Sequence, residues 1–100
     1  MGKKAIVPSN NDNVATAIKD LEKGEQVKVV VEENEIIITL KDVVAFGHKF
    51  SITDIAKGDG VIKYGEVLGE ATQKITSGEH VHVHNLVSKR GRGDLGKGDK

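Results

Sequence analysis

The sequence predicts a small, mainly β domain with a minor helical element, and three observations carry that expectation. Valine and isoleucine dominate the apolar residues, while the aromatic set is Phe46, Phe50 and Tyr64, with no tryptophan. Such β-branched side chains pack well on pleated surfaces and are stiff in helices. The apolar runs are short and are separated by glycine, asparagine and charged residues, as in strands joined by tight turns. One local pattern also recurs. Leu21-Glu22-Lys23-Gly24-Glu25-Gln26-Val27, Ile55-Ala56-Lys57-Gly58-Asp59-Gly60-Val61 and Ile75-Thr76-Ser77-Gly78-Glu79-His80-Val81 share an aliphatic residue, two variable residues, glycine, an acid, any residue and valine. The aliphatic residue anchors a turn on the core, glycine takes the tight backbone angle, and valine starts a strand. The glycines are 34 and 20 residues apart, which excludes a regular solenoid.

Taken in order, residues 4–7 form a short strand closed by Pro8, and residues 8–13 a polar loop. Val14, Ala17, Ile18 and Leu21 recur at i, i+3, i+4 and i+7, the period of one short N-terminal helix. Asp12 or Asn13 would cap it by accepting hydrogen bonds from free backbone amides, and Gly24 would end it. Residues 26–32 and 36–40 read as a hairpin with Asn34 at its tip. Residues 43–45 and 50–52 flank Gly47-His48-Lys49, and residues 61–63, 67–68 and 80–86 complete the strands. From Ser88 onward four glycines and many charges accompany one aliphatic residue, Leu95. The expected organisation is one domain over residues 1–87 and a flexible Gly- and charge-rich tail or linker over residues 88–100.

Fifteen basic and fifteen acidic residues cancel, so nothing draws the chain as a whole toward nucleic acid or a membrane surface. The basic Arg90-Gly91-Arg92 segment is diluted by Asp94 and Asp99, and no nucleic-acid partner is expected. Without cysteine there is no disulfide framework or thiolate metal site. No apolar run approaches the ~20 residues of a membrane span. Lys3 and Lys4 are not followed by an apolar signal core, so the expected location is cytoplasmic.

Three places could carry chemistry. His80-Val81-His82-Val83-His84 holds three of the four histidines. On a strand their rings would share one face while Val81 and Val83 pack inward. Histidines two apart can reach one divalent ion, and the alternative is a solvated, histidine-rich face. In Gly47-His48-Lys49, His48 can act as acid, base or ligand near neutral pH, and Lys49 can pair with a carboxylate; the alternative is an ordinary exposed turn. In Lys63-Tyr64-Gly65, Lys63 is a cation for an acidic substrate, or else it snorkels over a core tyrosine. No phosphate loop, nucleophile elbow or zinc-finger spacing is present.

Asp12-Asn13-Val14-Ala15, Gly47-His48-Lys49-Phe50, Val61-Ile62-Lys63-Tyr64-Gly65, Leu68-Gly69 and residues 78–85 occur in an order and spacing that resembles the N-terminal region of altronate and galactarate dehydratases. They are equally similar to the small subunit of sulfolactate sulfo-lyase. The resemblance covers residues 6–86 and implies an SAF-type β-clip fold. It implies a lyase reaction that removes water, or sulfite, from a hydroxylated or sulfonated carboxylic acid, with a divalent metal, iron or manganese, in the sugar-acid enzymes. It implies His48, His82 and His84 as catalytic contributors, His82 and His84 as metal ligands, and Lys49, Lys63 and Asn85 as contacts to substrate or partner. Fused relatives carry a large C-terminal region with most of the catalytic machinery. The expected form is therefore a small subunit, inactive alone, that works with a large catalytic subunit. Alternatives are a non-catalytic carbohydrate- or carboxylate-binding module and a homo-oligomer paired through strand edges.

Overall fold

Nine short strands and no helix make up the described part of the chain, residues 3–88, in a computed structural model. In chain order they are β1 (Ala5–Ile6), β2 (Val14–Ala17), β3 (Gln26–Val31), β4 (Asn34–Thr39), β5 (Lys49–Ser51), β6 (Gly60–Lys63), β7 (Glu66–Ala71), β8 (His80–Val81) and β9 (Leu86–Ser88). They form a four-stranded sheet ordered β1-β2-β5-β8, the hairpin β3-β4, and a three-stranded sheet ordered β6-β7-β9. Every pairing is antiparallel. The mainly β class expected from the sequence is the class adopted, and small open sheets of this kind fit a β-clip. The expected tail lies outside the described residues except for Ser88, which ends β9. No helix among the described residues is long and apolar enough to cross a membrane.

The expected helix is a strand. β2 lies between β1 and β5 and is covered on both faces: Val14, Ala15 and Ala17 are all buried. A strand covered on both faces shows a continuous apolar run rather than alternation, and such a run can imitate a helical period. The two polar residues before it cap nothing. The Asp12 carboxylate accepts hydrogen bonds from the amides of Ser9, Tyr64 and Gly65. Asn13 accepts from the Ile62 amide at 2.8 Å and donates to the Gly60 carbonyl at 3.0 Å. Together they fasten the N-terminal loop to the β6-β7 hairpin some fifty residues away in the chain.

Two further expectations change in detail. The first hairpin turns at Glu32-Glu33, not at Asn34, which pairs with Val31 as the first residue of β4. Both turn residues have positive φ, 53° and 69°, as a two-residue turn matched to the strand twist requires. Nor does residues 80–86 form one strand. β8 stops at Val81, a turn follows, and Val83 is 82% exposed instead of packing inward. Asn85 causes the break. Its side chain is buried, donates to the His80 carbonyl at 2.8 Å and accepts from the His82 amide at 3.0 Å. Those bonds replace the ladder that a continuing strand would need.

The turn-into-strand pattern occurs four times, not three. Leu21 bridges Val44 and Ile55 bridges Ile75, and after each of these four residues comes a turn holding a left-handed glycine: Gly24, Gly47, Gly58 and Gly78, with φ between 85° and 93°. Each glycine amide donates across the molecule, to the carbonyls of Leu40, Ala17, Ala71 and Ser51 respectively. Asp20 and Asp54 precede the first bridge residue of each pair and accept from the amides of Phe46 and Ser77, at equivalent points. The β3-β4 and β6-β7 hairpins occupy matching places, and the second also turns at two positive-φ residues, Tyr64 and Gly65. The chain is thus an internal repeat, and each half has its own core. Leu21, Val27, Leu40, Val44 and Phe50 lie in one cluster; their counterparts Ile55, Val61, Ala71, Ile75 and Val81 lie in the other.

Gly78 carries more than its turn. A Cβ there would meet the backbone carbonyl of Thr39, whereas a Cβ on Gly47 would meet nothing within 4 Å. Gly47→Ala therefore pays only the left-handed conformation, about 1 kcal/mol. Gly78→Ala adds a backbone collision, and we expect a loss of about 2–4 kcal/mol, or ~10–25 °C in Tm. Calorimetric melts of both variants check this, and equal losses would contradict the contact.

Candidate functional site

The β5–β8 register, Lys49 with Val81 and Phe50 with His80, runs on to set His48 opposite His82. The rings of His48 and His82 stack with centroids 4.4 Å apart and planes 13° from parallel. His48 Nδ1 lies 2.9 Å from His80 Nε2, a distance at which one nitrogen donates its proton to the other's lone pair. One nitrogen from each of His48, His80 and His82 falls within 4.8 Å of the others. With metal–nitrogen distances of about 2.0–2.1 Å, a tetrahedral site spaces its nitrogens ~3.3 Å apart. The spacings bracket that value, but the stacked rings point their in-plane lone pairs side by side, so holding one divalent ion requires the rings to rotate out of the stack.

The backbone fixes this cluster from several sides. The Asp42 carboxylate accepts from the His80 amide at 3.0 Å, and Asn85 holds the turn that presents His82 and His84. The His84 ring tilts at 31° beside His80, with centroids 5.4 Å apart; it stands at the rim, outside the three-nitrogen set. Asn85 itself is buried with both side-chain polar atoms engaged to backbone.

His48 also departs from its own fold. After the left-handed glycine, the other three turns carry Glu25, Asp59 and Glu79. The Glu25 and Glu79 carboxylates close their own turns by accepting the amides of Glu22 and Thr76. At His48 an imidazole replaces that acid and faces other imidazoles instead. The sequence held this signal, since Val44-Ala45-Phe46-Gly47-His48-Lys49-Phe50 fits the repeated pattern with two substitutions, His48 for the acid and Phe50 for the valine. His80, which enters the three-nitrogen set, was visible only as part of the histidine run.

Lysines complete the face. Lys49 is half-buried, and burial first, then the charge of Lys63, holds its ammonium below the usual lysine range. Directly across the register is Thr16, whose Oγ1 is buried without a hydrogen-bond partner. Lys63 lies 5.1 Å from the Tyr64 ring centre, but that tyrosine is 64% exposed rather than a core residue. Four imidazoles and two ammonium groups thus share one region, suited to an anionic ligand.

Residues 3–89 match the family model described as the altronate/galactarate dehydratase SAF domain. Over 74 residues the chain is 53% identical to altronate dehydratase of Escherichia coli (strain K12), covering 74% of this chain and 14% of the relative. It is 39% identical over 83 residues to altronate dehydratase of Bacillus subtilis (strain 168), covering 83% of this chain and 16% of the relative. It is 35% identical over 88 residues to (2R)-sulfolactate sulfo-lyase subunit alpha of Chromohalobacter salexigens, covering 85% of this chain and 94% of the relative. The chain therefore spans about a seventh of the length of the altronate dehydratases it matches.

Burial, followed by the neighbouring imidazoles, lowers His80 below the ordinary histidine value; burial, then His48 and Lys49, lowers His82. Asp42 opposes the shift at His80 more weakly. Both shifts favour the neutral ring in the folded chain. As pH falls through about 6.5 the unfolded chain takes up protons first, so stability falls with pH. In metal-free buffer we expect Tm to be flat above pH ~7 and to decline between about 6.5 and 5. The double variant His80→Asn/His82→Asn should flatten that decline. Calorimetry across the range checks it, and a Tm that rises on acidification would contradict both shifts.

Proposed function

This chain belongs to the altronate/galactarate dehydratase SAF-domain family, and we propose that it is the small subunit, or N-terminal module, of a lyase eliminating water from a sugar acid. The observation that carries this reading is the convergence of His48 with His80 and His82 beside Lys49 and Lys63. Elimination next to a carboxylate needs three things: a fixed anion, a base for the proton on the adjacent carbon, and help for the leaving oxygen. Lys49 and Lys63 bind the carboxylate. The imidazole of His48 or His82 accepts the proton, and burial beside other rings favours the neutral form at His80 and His82. His84, at the rim, is placed to exchange protons with solvent or substrate. Asn85 acts indirectly, by holding the turn that carries His82 and His84.

Iron(II) or manganese(II) is the cofactor proposed, shared between His82, His84 and a partner, which leaves His48 as the base, or held by His48, His80 and His82, in which case the base comes from the partner. When bound, such an ion supplies Lewis acidity toward a hydroxyl leaving group. An open face offers no enclosure that excludes water, so the remaining walls come from a large catalytic subunit.

A second substrate class has its own support. The chain covers 94% of a (2R)-sulfolactate sulfo-lyase subunit alpha, which fits a free-standing small subunit, and there sulfite would be the leaving group.

The test is turnover of altronate, galactarate and (2R)-sulfolactate by the chain reconstituted with its large subunit. His48→Ala and His82→Ala should each lower kcat by about 100-fold or more, the scale of a lost acid–base group. Lys49→Ala should act mainly by raising KM. Full turnover in both histidine variants would reject the site.

A further inference from the structure

The four corners of the repeat serve as controls for one another. Two positions in each lie outside the sheets: the residue before the bridging aliphatic and the residue before the left-handed glycine. In three corners both positions are polar: Asp20 and Lys23, Asp54 and Lys57, Lys74 and Ser77. In the corner that ends at His48 they are Val43 and Phe46, 60% and 67% exposed. Single exposed apolar residues are ordinary on a protein surface. This pair is not demanded by the corner, because the same backbone closes three times with polar residues in these places. The twin corner makes the contrast most direct. The Phe46 amide donates to Asp20 as the Ser77 amide donates to Asp54, yet one position carries a ring and the other a hydroxyl.

The apolar pair adjoins the reactive rings. Phe46 lies two residues before His48, and Asp42, next to Val43, accepts the His80 amide at 3.0 Å. On the other segment of the stacked His48–His82 pair, Val83 is 82% exposed between His82 and His84. Apolar side chains therefore flank the imidazoles along both segments that carry them. The corner is also rigid. The Phe46 amide is held by Asp20 at 2.9 Å and the Gly47 amide by the Ala17 carbonyl at 2.8 Å. The backbone behind the phenyl ring is thus ordered before any partner arrives, which lowers the ordering cost of binding.

We propose that Val43, Phe46 and Val83 seat the large subunit on this chain, with the Phe46 ring entering an apolar pocket of that partner. The identity of the occupant rests on the lyase reading above; the apolar rim does not. Any polypeptide that closes over the imidazoles to exclude water must cross the segments that carry them, and so meets these residues. A rigid aromatic anchor beside a region that is to be dried concentrates binding energy in few side chains. The altronate dehydratases that the chain matches extend for about six-sevenths of their length outside the matched segment, a body large enough to supply the pocket.

The test measures association of the full chain with the large subunit by titration calorimetry, apart from turnover. Val43→Lys/Phe46→Ser installs the residues of the twin corner and Phe46→Lys the residue of the other two, so both variants should melt like the parent chain. Each should weaken association about 30-fold or more, the scale of a lost anchor. Raising the large-subunit concentration should then restore turnover, because the imidazoles are untouched. Ile37→Lys, at an aliphatic residue 62% exposed on β4, should leave association unchanged. Association that survives both corner variants, or that Ile37→Lys weakens as much, would overturn the proposal. So would a dimer of the chain alone, seen by sedimentation and lost in Phe46→Lys, which would give the rim to a second copy. A chain that associates through Phe46 but turns over none of the three acids sinks the lyase reading and leaves the seat standing. Turnover with association indifferent to Phe46 does the reverse.

Discussion

A glycine amide, turned left-handed and bonded to a carbonyl across the molecule, is the contact on which this architecture depends. With few aromatic residues in a chain of one hundred, the two aliphatic clusters are small, and small cores leave a thin margin. Reversal of the chain must therefore add tertiary contact as well as change direction. Each of the four turns does this: an aliphatic residue bridges to the other member of its pair, the glycine amide is satisfied by a strand elsewhere, and the next residues enter a sheet. The sheets stay short because every few residues the chain is committed to another such corner.

The sequence made the strand content and most corners legible because both are local. Valine-rich runs with glycine between them need no tertiary knowledge, and the pattern of aliphatic, glycine and acid marked three turns. What was lost depended on burial. Val14–Ala17 is covered on two faces, so its polar period vanished and its apolar residues mimicked a helix. Asp12 and Asn13 then resembled caps, though their partners lie in the β6-β7 hairpin. The break after Val81 was hidden because it comes from one buried amide, Asn85, whose partners are backbone groups a few residues away. At the site, the histidine run and His48 were visible as separate motifs. That they meet is a consequence of the β5–β8 register, which no local pattern encodes.

The site shows how a rigid corner becomes a reactive one. In the turns carrying Glu25 and Glu79 the acidic side chain is occupied with its own backbone. At His48 the turn closes with glycine and backbone alone, as the His48 amide to Ala45 carbonyl bond shows. The side chain is then free for other rings. His80 and His82, buried beside other imidazoles, resist protonation, which keeps their lone pairs available in the pH range where a solitary histidine would be partly charged.

The two halves of the chain resemble each other in bridges, glycines, hairpins and cores, yet the corner ending at His48 and the corner ending at Glu79 carry side chains of opposite chemical character. Two identical half-length chains related by a twofold axis would be obliged to put the same residue at both places. Either both corners would keep their self-closing acid or both would give it up. Only covalent fusion lifts that symmetry, letting one corner stay a hinge while its twin acquires a reactive ring. The imidazole face therefore belongs to the asymmetry between the two halves of one chain, since the twin corner keeps its self-closing acid.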